Sequence, residues 1–362
     1  MDYKEIFEKM NTFKGKLQDR ESERIFNARI QYLIYRNREM FYQSLDEVFQ
    51  NIKDGYSSWR LNQYNARNIE NQDKSIIIFG AGERGKLTCR SLLYANKKVC
   101  CLCDSNETLW GTAYKGIPVC SLFYARQHFK NSVVVVASIK YQLEMYHQLI
   151  HAGFKETDIL MPPEGYLYCD RENQYFDLSE LKPEPDGEYF VDAGCYDGMT
   201  SLQCDKWCNG NLKMIYAFEP SNKNYMECGD RLSQIGCAYE LYECATWSEE
   251  TTLRFHYLEN AGFGSSIRGD GEICVKADSI DNKLKGRKAT YIKYDVEGSE
   301  LEALKGSINT ILTYRPKLAI SIYHKPEDVI DIPVFLEGLD LGYRYYLRQY
   351  QTRMEETTLY AI

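Results

Sequence analysis

The chain has 362 residues, 44% hydrophobic and 27% charged, an ordinary composition for a globular protein. It is longer than the ~250–300 residues over which a single core usually grows, so more than one domain is expected. A net charge of −8 without a lysine–arginine cluster argues against broad nucleic-acid binding. No apolar run reaches the ~18 residues of a membrane span, and the charged start MDYKEIFEKM lacks the apolar core of a secretion signal, so a cytoplasmic chain is expected.

Residues 1–70 read as a helical segment. Ile25, Phe26, Arg29, Ile30, Leu33 and Ile34 recur at three- and four-residue spacing, an apolar stripe among charges. Such a stripe covers either the rest of its own chain, the preferred reading, or a partner subunit, which leaves a homo-oligomer open. From Lys74 the pattern changes to apolar strand, glycine turn, helix and second apolar strand in KSIIIFGAGERGKLTCRSLLYANKKVCCLCDS. The run VVVV at 133–136 suits a parallel strand covered on both faces. Residues 74–160 therefore predict a small, doubly wound, Rossmann-like α/β domain.

Thirteen cysteines fall largely in strand-like runs, as in VCCLC at 99–103, and read as buried, reduced thiols. Cys100 and Cys103 form a C-x-x-C, yet neither a second pair nor a histidine pair completes a zinc site in the sequence. Four prolines and many charges make 161–187 a predicted linker. A second βαβ series follows at 188–362, with candidate strands EYFVDA, KMIYAFEP, YELYECA, TYIKYDV and KLAISIY.

Each series opens on a glycine turn. The first is a full G-x-G-x-x-G of Gly80, Gly82 and Gly85, followed by Asp104 near the offset of a ribose-binding carboxylate. It makes a possible second nucleotide site, for a nucleotide or nucleotide-sugar, and equally a simple means of packing helix on strand. In the second, YFVDAGCYDGMTS, Asp192 closes the strand, Gly194 and Gly198 shape the turn and Thr200 starts the helix. The next strand ends in Glu219, whose carboxylate can accept two hydrogen bonds from a ribose diol. No glycine stands two residues after Gly194, where a dinucleotide pyrophosphate would need close backbone contact, and this points to S-adenosylmethionine instead.

The motifs VDAGCYDG, YAFEPSNKNY, ECATWSEE, FGSSI, ADSIDNKL, KYDVEGSELEALKG and RPKLAISIYH occur in that order over residues 188–362. Together they resemble the FkbM-type methyltransferase family. The resemblance implies a class I methyltransferase sheet whose reversed last strand is ETTLYAI, with S-adenosylmethionine as cofactor. It also implies methylation of a hydroxyl, often on a sugar of a glycan or natural product. Cofactor contacts are implied at Asp192, Gly194, Cys195, Tyr196, Gly198, Thr200, Glu219, Pro220, Ala245 and Asp295. Cys195 stands where the family usually has alanine, and YHKPEDVIDIP marks a subgroup. Residues 74–160 resemble, more loosely, the small nucleotide-binding domains attached to sugar-modifying enzymes.

Three carboxylates, Asp295, Glu297 and Glu300, crowd the segment where the fourth strand of this series stops. Within the resemblance, Asp295 would face the methionine part of the cofactor and Glu297 the acceptor. Glu300, in a first helical turn, is expected to be a solvated acid favoured by the helix dipole. His324 follows the fifth strand and is the expected general base, as a neutral imidazole. A magnesium held by Asp295, Glu297 and His324 is conceivable, but no metal is expected. YRYYLRQYQTR, with Arg344, Arg348 and Arg353, is the predicted exposed aromatic platform for a sugar. The competing readings are a nicotinamide-dependent oxidoreductase or epimerase centred on Gly80–Gly85, which lacks a nearby Tyr-x-x-x-Lys, and a non-catalytic nucleotide-sugar recognition module.

Overall fold

A computed structural model describes residues 3–45, 48, 74–94, 97–138, 141–161, 174–256, 266–267, 273–350 and 354–362. The chain divides into two compact units, Asp46–Arg171 and Met1–Leu45 together with Glu172–Ile362.

The smaller unit holds β1 (Ser75–Phe79), β2 (Val99–Cys103), β3 (Ala113–Tyr114), β4 (Ile117–Cys120), β5 (Ser132–Val136) and β6 (Ile159–Leu160). They form one sheet in the order β3-β4-β2-β1-β5-β6, parallel except for β3. Alternation along each strand sends Ile76, Ile78, Leu102, Val133 and Val135 into one core and Ile77, Phe79, Cys101, Cys103, Val134 and Val136 into another. The uninterrupted apolar runs thus reflect burial on both faces.

The larger unit is built on β7 (Glu188–Ala193), β8 (Leu212–Phe218), β9 (Ala238–Tyr242), β14 (Tyr291–Tyr294), β15 (Lys317–Ser321), β16 (Tyr345–Gln349) and β17 (Thr357–Ala361), in the order β16-β17-β15-β14-β7-β8-β9. β17 runs antiparallel between β15 and β16, and strands β9, β8, β7, β14 and β15 are mutually parallel. A four-stranded sheet of β10 (Ala245–Thr246), β11 (Thr251–His256), β12 (Ser266–Ile267) and β13 (Ile273–Asp278) was not anticipated; β12 carries the end of the FGSSI motif, whose residues 263–265 lie outside the described residues.

The N-terminal helix Arg20–Tyr35 buries Ile25, Phe26 and Arg29, while Ile34 at the far end of the stripe is 63% exposed. It packs along β16, where Ser22 Oγ accepts the Leu347 N–H at 2.8 Å and Arg29 donates to the Met354 carbonyl. Residues 46–47 and 49–70 of the predicted helical segment lie outside the described residues. The same packing overturns the aromatic platform. Tyr345, Tyr346 and Leu347 are buried in β16, and Arg348 is paired with Asp19 at 2.7 Å; residues 351–353 lie outside the described residues.

The expected linker behaves differently as well. Its described part, 174–187, sends Tyr175, Leu178 and Leu181 into the core beside Phe190, Tyr291 and Tyr360. Apolar anchors three residues apart lay hidden among the prolines and charges. Among the described residues the cysteines are free thiols, mostly buried. No helix among the described residues is long and apolar enough to cross a membrane.

Candidate functional site

Four chain segments leave the carboxyl ends of the neighbouring strands β15, β14, β7 and β8, and between them they carry His324, Asp295 to Glu300, the Gly194–Gly198 turn and Glu219. In open α/β sheets this edge is where ligands sit.

The turn after β7 is held from below. Asp192 is fully buried, accepting from Ser201 Oγ at 2.8 Å and facing the Lys293 ammonium at 3.2 Å. Lys293 Nζ also donates to the Gly194 carbonyl at 2.7 Å. Burial works to lower the Lys293 pKa, but the charges of Asp192 and Asp295 outweigh it and hold the group cationic. Asp192, expected as a cofactor contact, thus acts on the turn from beneath it. Lys293 was missed, although a lone lysine within YIKY signals a buried partner.

Gly194 has φ +78°, and a Cβ there would lie 2.0 Å from the Asp295 carbonyl oxygen. Gly198 has φ +79° and caps the helix Met199–Trp207, whose first turn contains the half-buried Thr200. Cys195 is buried with its Sγ 3.3 Å from Cys228 Sγ, which makes it a packing residue. Tyr196, also at positive φ, is exposed beside the turn.

Glu219 is 6% exposed and folds back onto the turn. Oε2 accepts the Tyr196 N–H at 3.1 Å, and Oε1 accepts the Ser221 N–H at 2.8 Å and Asn224 Nδ2 at 3.5 Å. Burial pushes its pKa up to about 7 against the lowering effect of these hydrogen bonds and of Lys293. The expected free-standing fork is therefore a carboxylate already joined to the turn, and Pro220 beside it is half-buried.

The three acids after β14 have three different environments. Asp295 accepts from Tyr175 Oη at 3.0 Å and Tyr323 Oη at 3.4 Å. Both tyrosines escaped the sequence analysis, Tyr175 because it lies in the expected linker. Glu297 is half-buried at φ +55°, next to Gly298 at φ +94°. Glu300 is fully buried, contrary to expectation. Its Oε1 accepts the N–H groups of Val296 and Gly298 and meets His324 Nδ1 at 2.8 Å. The acid therefore ties its own loop to the end of β15 and does not decorate a helix in solvent.

His324 Nε2 lies 3.4 Å from Glu297 Oε2 and 3.7 Å from Asp295 Oδ1. Burial acts to lower the His324 pKa, yet Glu300, Asp295 and Glu297 together raise it to about 10. The expected neutral imidazole is corrected to an imidazolium at neutral pH, which cannot accept a proton. Glu297 is the group near neutrality. Burial pushes its pKa up to about 7, with His324 opposing and Asp295 and Glu300 adding to the rise.

Residues 192–345 match the family model of the methyltransferase FkbM domain. The matched residues lie within the larger unit. Among solved structures, a methyltransferase FkbM from Methylobacillus flagellatus KT is similar at 17% identity over 89% of this chain and 100% of that one, with a TM-score of 0.48. Fibrillarin from Aeropyrum pernix, solved with natively bound S-adenosyl-L-methionine, is similar at 11% identity over 52% of this chain and 71% of that one, TM-score 0.33. A SAM dependent methyltransferase from Aquifex aeolicus is similar at 15% identity over 53% and 90%, TM-score 0.30. No curated protein matches the chain.

Within the matched residues, Ala245 is buried in β10, one residue past Cys244, which lines a cavity of about 660 Å³ with Tyr242, Glu243, Asp278 and Lys283. Gly80, Gly82, Gly85 and Asp104 lie outside the matched residues, in the smaller unit. There Gly80 has φ +109°, and a Cβ on Gly85 would strike the Gly80 carbonyl at 1.7 Å, so both glycines serve the close packing of helix on strand. Gly82 is not at positive φ, and a Cβ there would meet nothing within 4 Å. Asp104 accepts the N–H groups of Ala81 at 2.7 Å and Asn106 at 2.8 Å, closing the turn.

Proposed function

We propose that this chain is an S-adenosylmethionine-dependent O-methyltransferase acting on a hydroxyl of a sugar-containing acceptor. The observation that carries this reading is the backbone contact between Gly194 and Asp295, which brings the glycine turn and its Glu219 carboxylate beside the acid cluster. The cradle fits such a cofactor. Gly194 lets the turn lie against the Asp295 backbone, Glu219 and Asp295 supply carboxylates for a diol and a cation, and Tyr196 beside the turn is exposed. When bound, S-adenosylmethionine supplies a methyl group on a positively charged sulfur, already a good leaving group.

The chain's own residues then mainly align the acceptor and exclude water, an effect worth roughly 7–11 kcal/mol in favourable cases. Asp295, oriented by Tyr175 and Tyr323, would offer its carboxylate to the cofactor's positive charge. Glu297 Oε2 would take the proton of an acceptor hydroxyl held beside it, and a pKa of about 7 suits a base. The left-handed backbone at Glu297 is a strain of the kind that persists where function holds a side chain in place. The His324 imidazolium, fixed by Glu300, orients Glu297 and Asp295 and offsets their mutual repulsion.

A cytoplasmic setting suits the free thiols. The acceptor class follows the FkbM resemblance. Calorimetric titration of the folded full chain with S-adenosylmethionine and S-adenosylhomocysteine tests the reading. Binding of both is expected, and silence with both would remove its basis. A second reading, nucleotide or nucleotide-sugar recognition at Gly80–Gly85, is favoured by Gly82, the glycine there without a steric reason. Quenching by NADH or a nucleotide-sugar, lost in Gly82→Val, would support it.

A further inference from the structure

The cysteines of the smaller unit are arranged more specifically than packing requires. Cys101 and Cys103, two residues apart on β2, face the same side of the sheet and are fully buried. The parallel register pairs Cys103 with Cys120 at the end of β4, and Cys120 is half-buried. One sulfur from each of the three lies within 4.8 Å of the other two, and Cys101 Sγ is 3.9 Å from Cys103 Sγ. Zn–S bonds of about 2.3 Å place tetrahedral sulfurs roughly 3.8 Å apart.

The C-x-x-C visible in the sequence is not this group. Cys100 sits at a register shift between β1 and β2, where its thiol donates to the Ile76 carbonyl at 3.2 Å and lies 3.9 Å from Ser132 Oγ. Cys103 and Cys120 have long contacts to carbonyl oxygens, 4.0 Å from Cys103 to Ser121 and 3.7 Å from Cys120 to Leu102. The walls around them are Ile77, Phe79, Val134, Val136 and Ala125. Any small apolar side chain would fill that core, whereas convergence of three soft donor atoms is a property of cysteine alone.

We propose that Cys101, Cys103 and Cys120 bind one zinc ion, with the fourth position open at the half-buried Cys120 end. Each thiol gives up its proton as its sulfur bonds to the metal, so one Zn2+ displaces three protons and leaves a net single negative charge at the site. Soft thiolates select this ion or Cu+ over harder cations. The metal would join β2 to β4 and stabilise the smaller unit by mass action.

The test uses the full chain, purified under reducing conditions, stripped with chelator and dialysed against Zn2+. Elemental analysis is expected to find one zinc per chain, and Co2+ in its place to give a sulfur-to-metal charge-transfer band. Cys103→Ala and Cys120→Ser should lose both signals, and exposed Cys274→Ser should keep them. Cys120→Ser, at a strand end, covers the case in which the buried variant fails to fold, with circular dichroism as the check. The proposal is overturned by substoichiometric zinc in the wild type, by zinc retained in Cys120→Ser, by stoichiometric binding of Cu+ in preference to Zn2+, or by a Cys103–Cys120 disulfide in the freshly isolated protein.

Discussion

The two glycine turns begin alike and end differently. In each, a carboxylate at the end of the next strand reaches back to a turn N–H: Asp104 to Ala81 in the smaller unit, Glu219 to Tyr196 in the larger. The contrast lies on the other side, in the strand that completes the crevice. Gly80 looks onto Ala137 and Met145, both apolar, whereas Gly194 touches the backbone of Asp295, the first of three acids. A glycine turn is a statement about backbone geometry, and reactive chemistry comes from what the neighbouring strand delivers to it. For that reason the methyl-transfer reading rests on the second turn.

The sharpest way to separate the turns is to add a methyl group to each. Gly194→Ala combines positive φ with a 2.0 Å clash against backbone, so a loss of roughly 2–6 kcal/mol in thermal or urea unfolding and loss of cofactor binding are expected. Gly82→Ala meets nothing within 4 Å and should leave stability within about 0.5 kcal/mol. Equal effects would mean that the turns do not differ as described. Next in size, Glu297→Gln should lower kcat by about 10²–10⁴ with cofactor affinity unchanged. An unaltered kcat would pass the role of base to another group.

Much of this comparison was legible in the residues. The strands β1, β2, β5, β7, β8, β14 and β15 announce themselves through largely apolar runs, β9 through the strand-forming residues of YELYECA, and the reversed β17 came through the family resemblance. What stayed hidden depended on partners distant in sequence. Tyr345 and Tyr346 look like a solvent-facing platform until Phe13 of the N-terminal segment covers the first and the core of Tyr175, Phe190 and Tyr360 takes in the second. Glu300 reads as a helix-dipole acid until the end of β15 brings His324 to 2.8 Å. His324 reads as a neutral base because a single histidine in sequence says nothing of three carboxylates around it. Tyr175 was concealed by the prolines of its own segment.

Smaller effects probe the two strand-end carboxylates. Glu219→Ala removes charge-assisted hydrogen bonds worth ~1.5–3 kcal/mol and should weaken S-adenosylmethionine about 10- to 100-fold by calorimetry. Asp104→Asn should leave that affinity where it was. Comparable losses in both variants would contradict the assignment of the cofactor to the larger unit.

The smallest expected effect is on pH. Burial holds Glu219 at about 7 in the free protein, so near pH 6 it is mostly protonated and near pH 8 mostly ionised. A diol donating to the carboxylate favours the ionised form, which lowers the pKa in the complex and makes binding release a proton. Affinity should therefore rise, and not fall, between pH 6 and pH 8, by about tenfold at most, since one pH unit below the free-state pKa costs a factor of about ten. The binding heat should vary with the ionisation enthalpy of the buffer. Glu219→Gln carries no titrating proton and should flatten the profile. If the slope survives that substitution, the proton belongs elsewhere, and Glu219 serves the turn alone, as Asp104 does in the smaller unit.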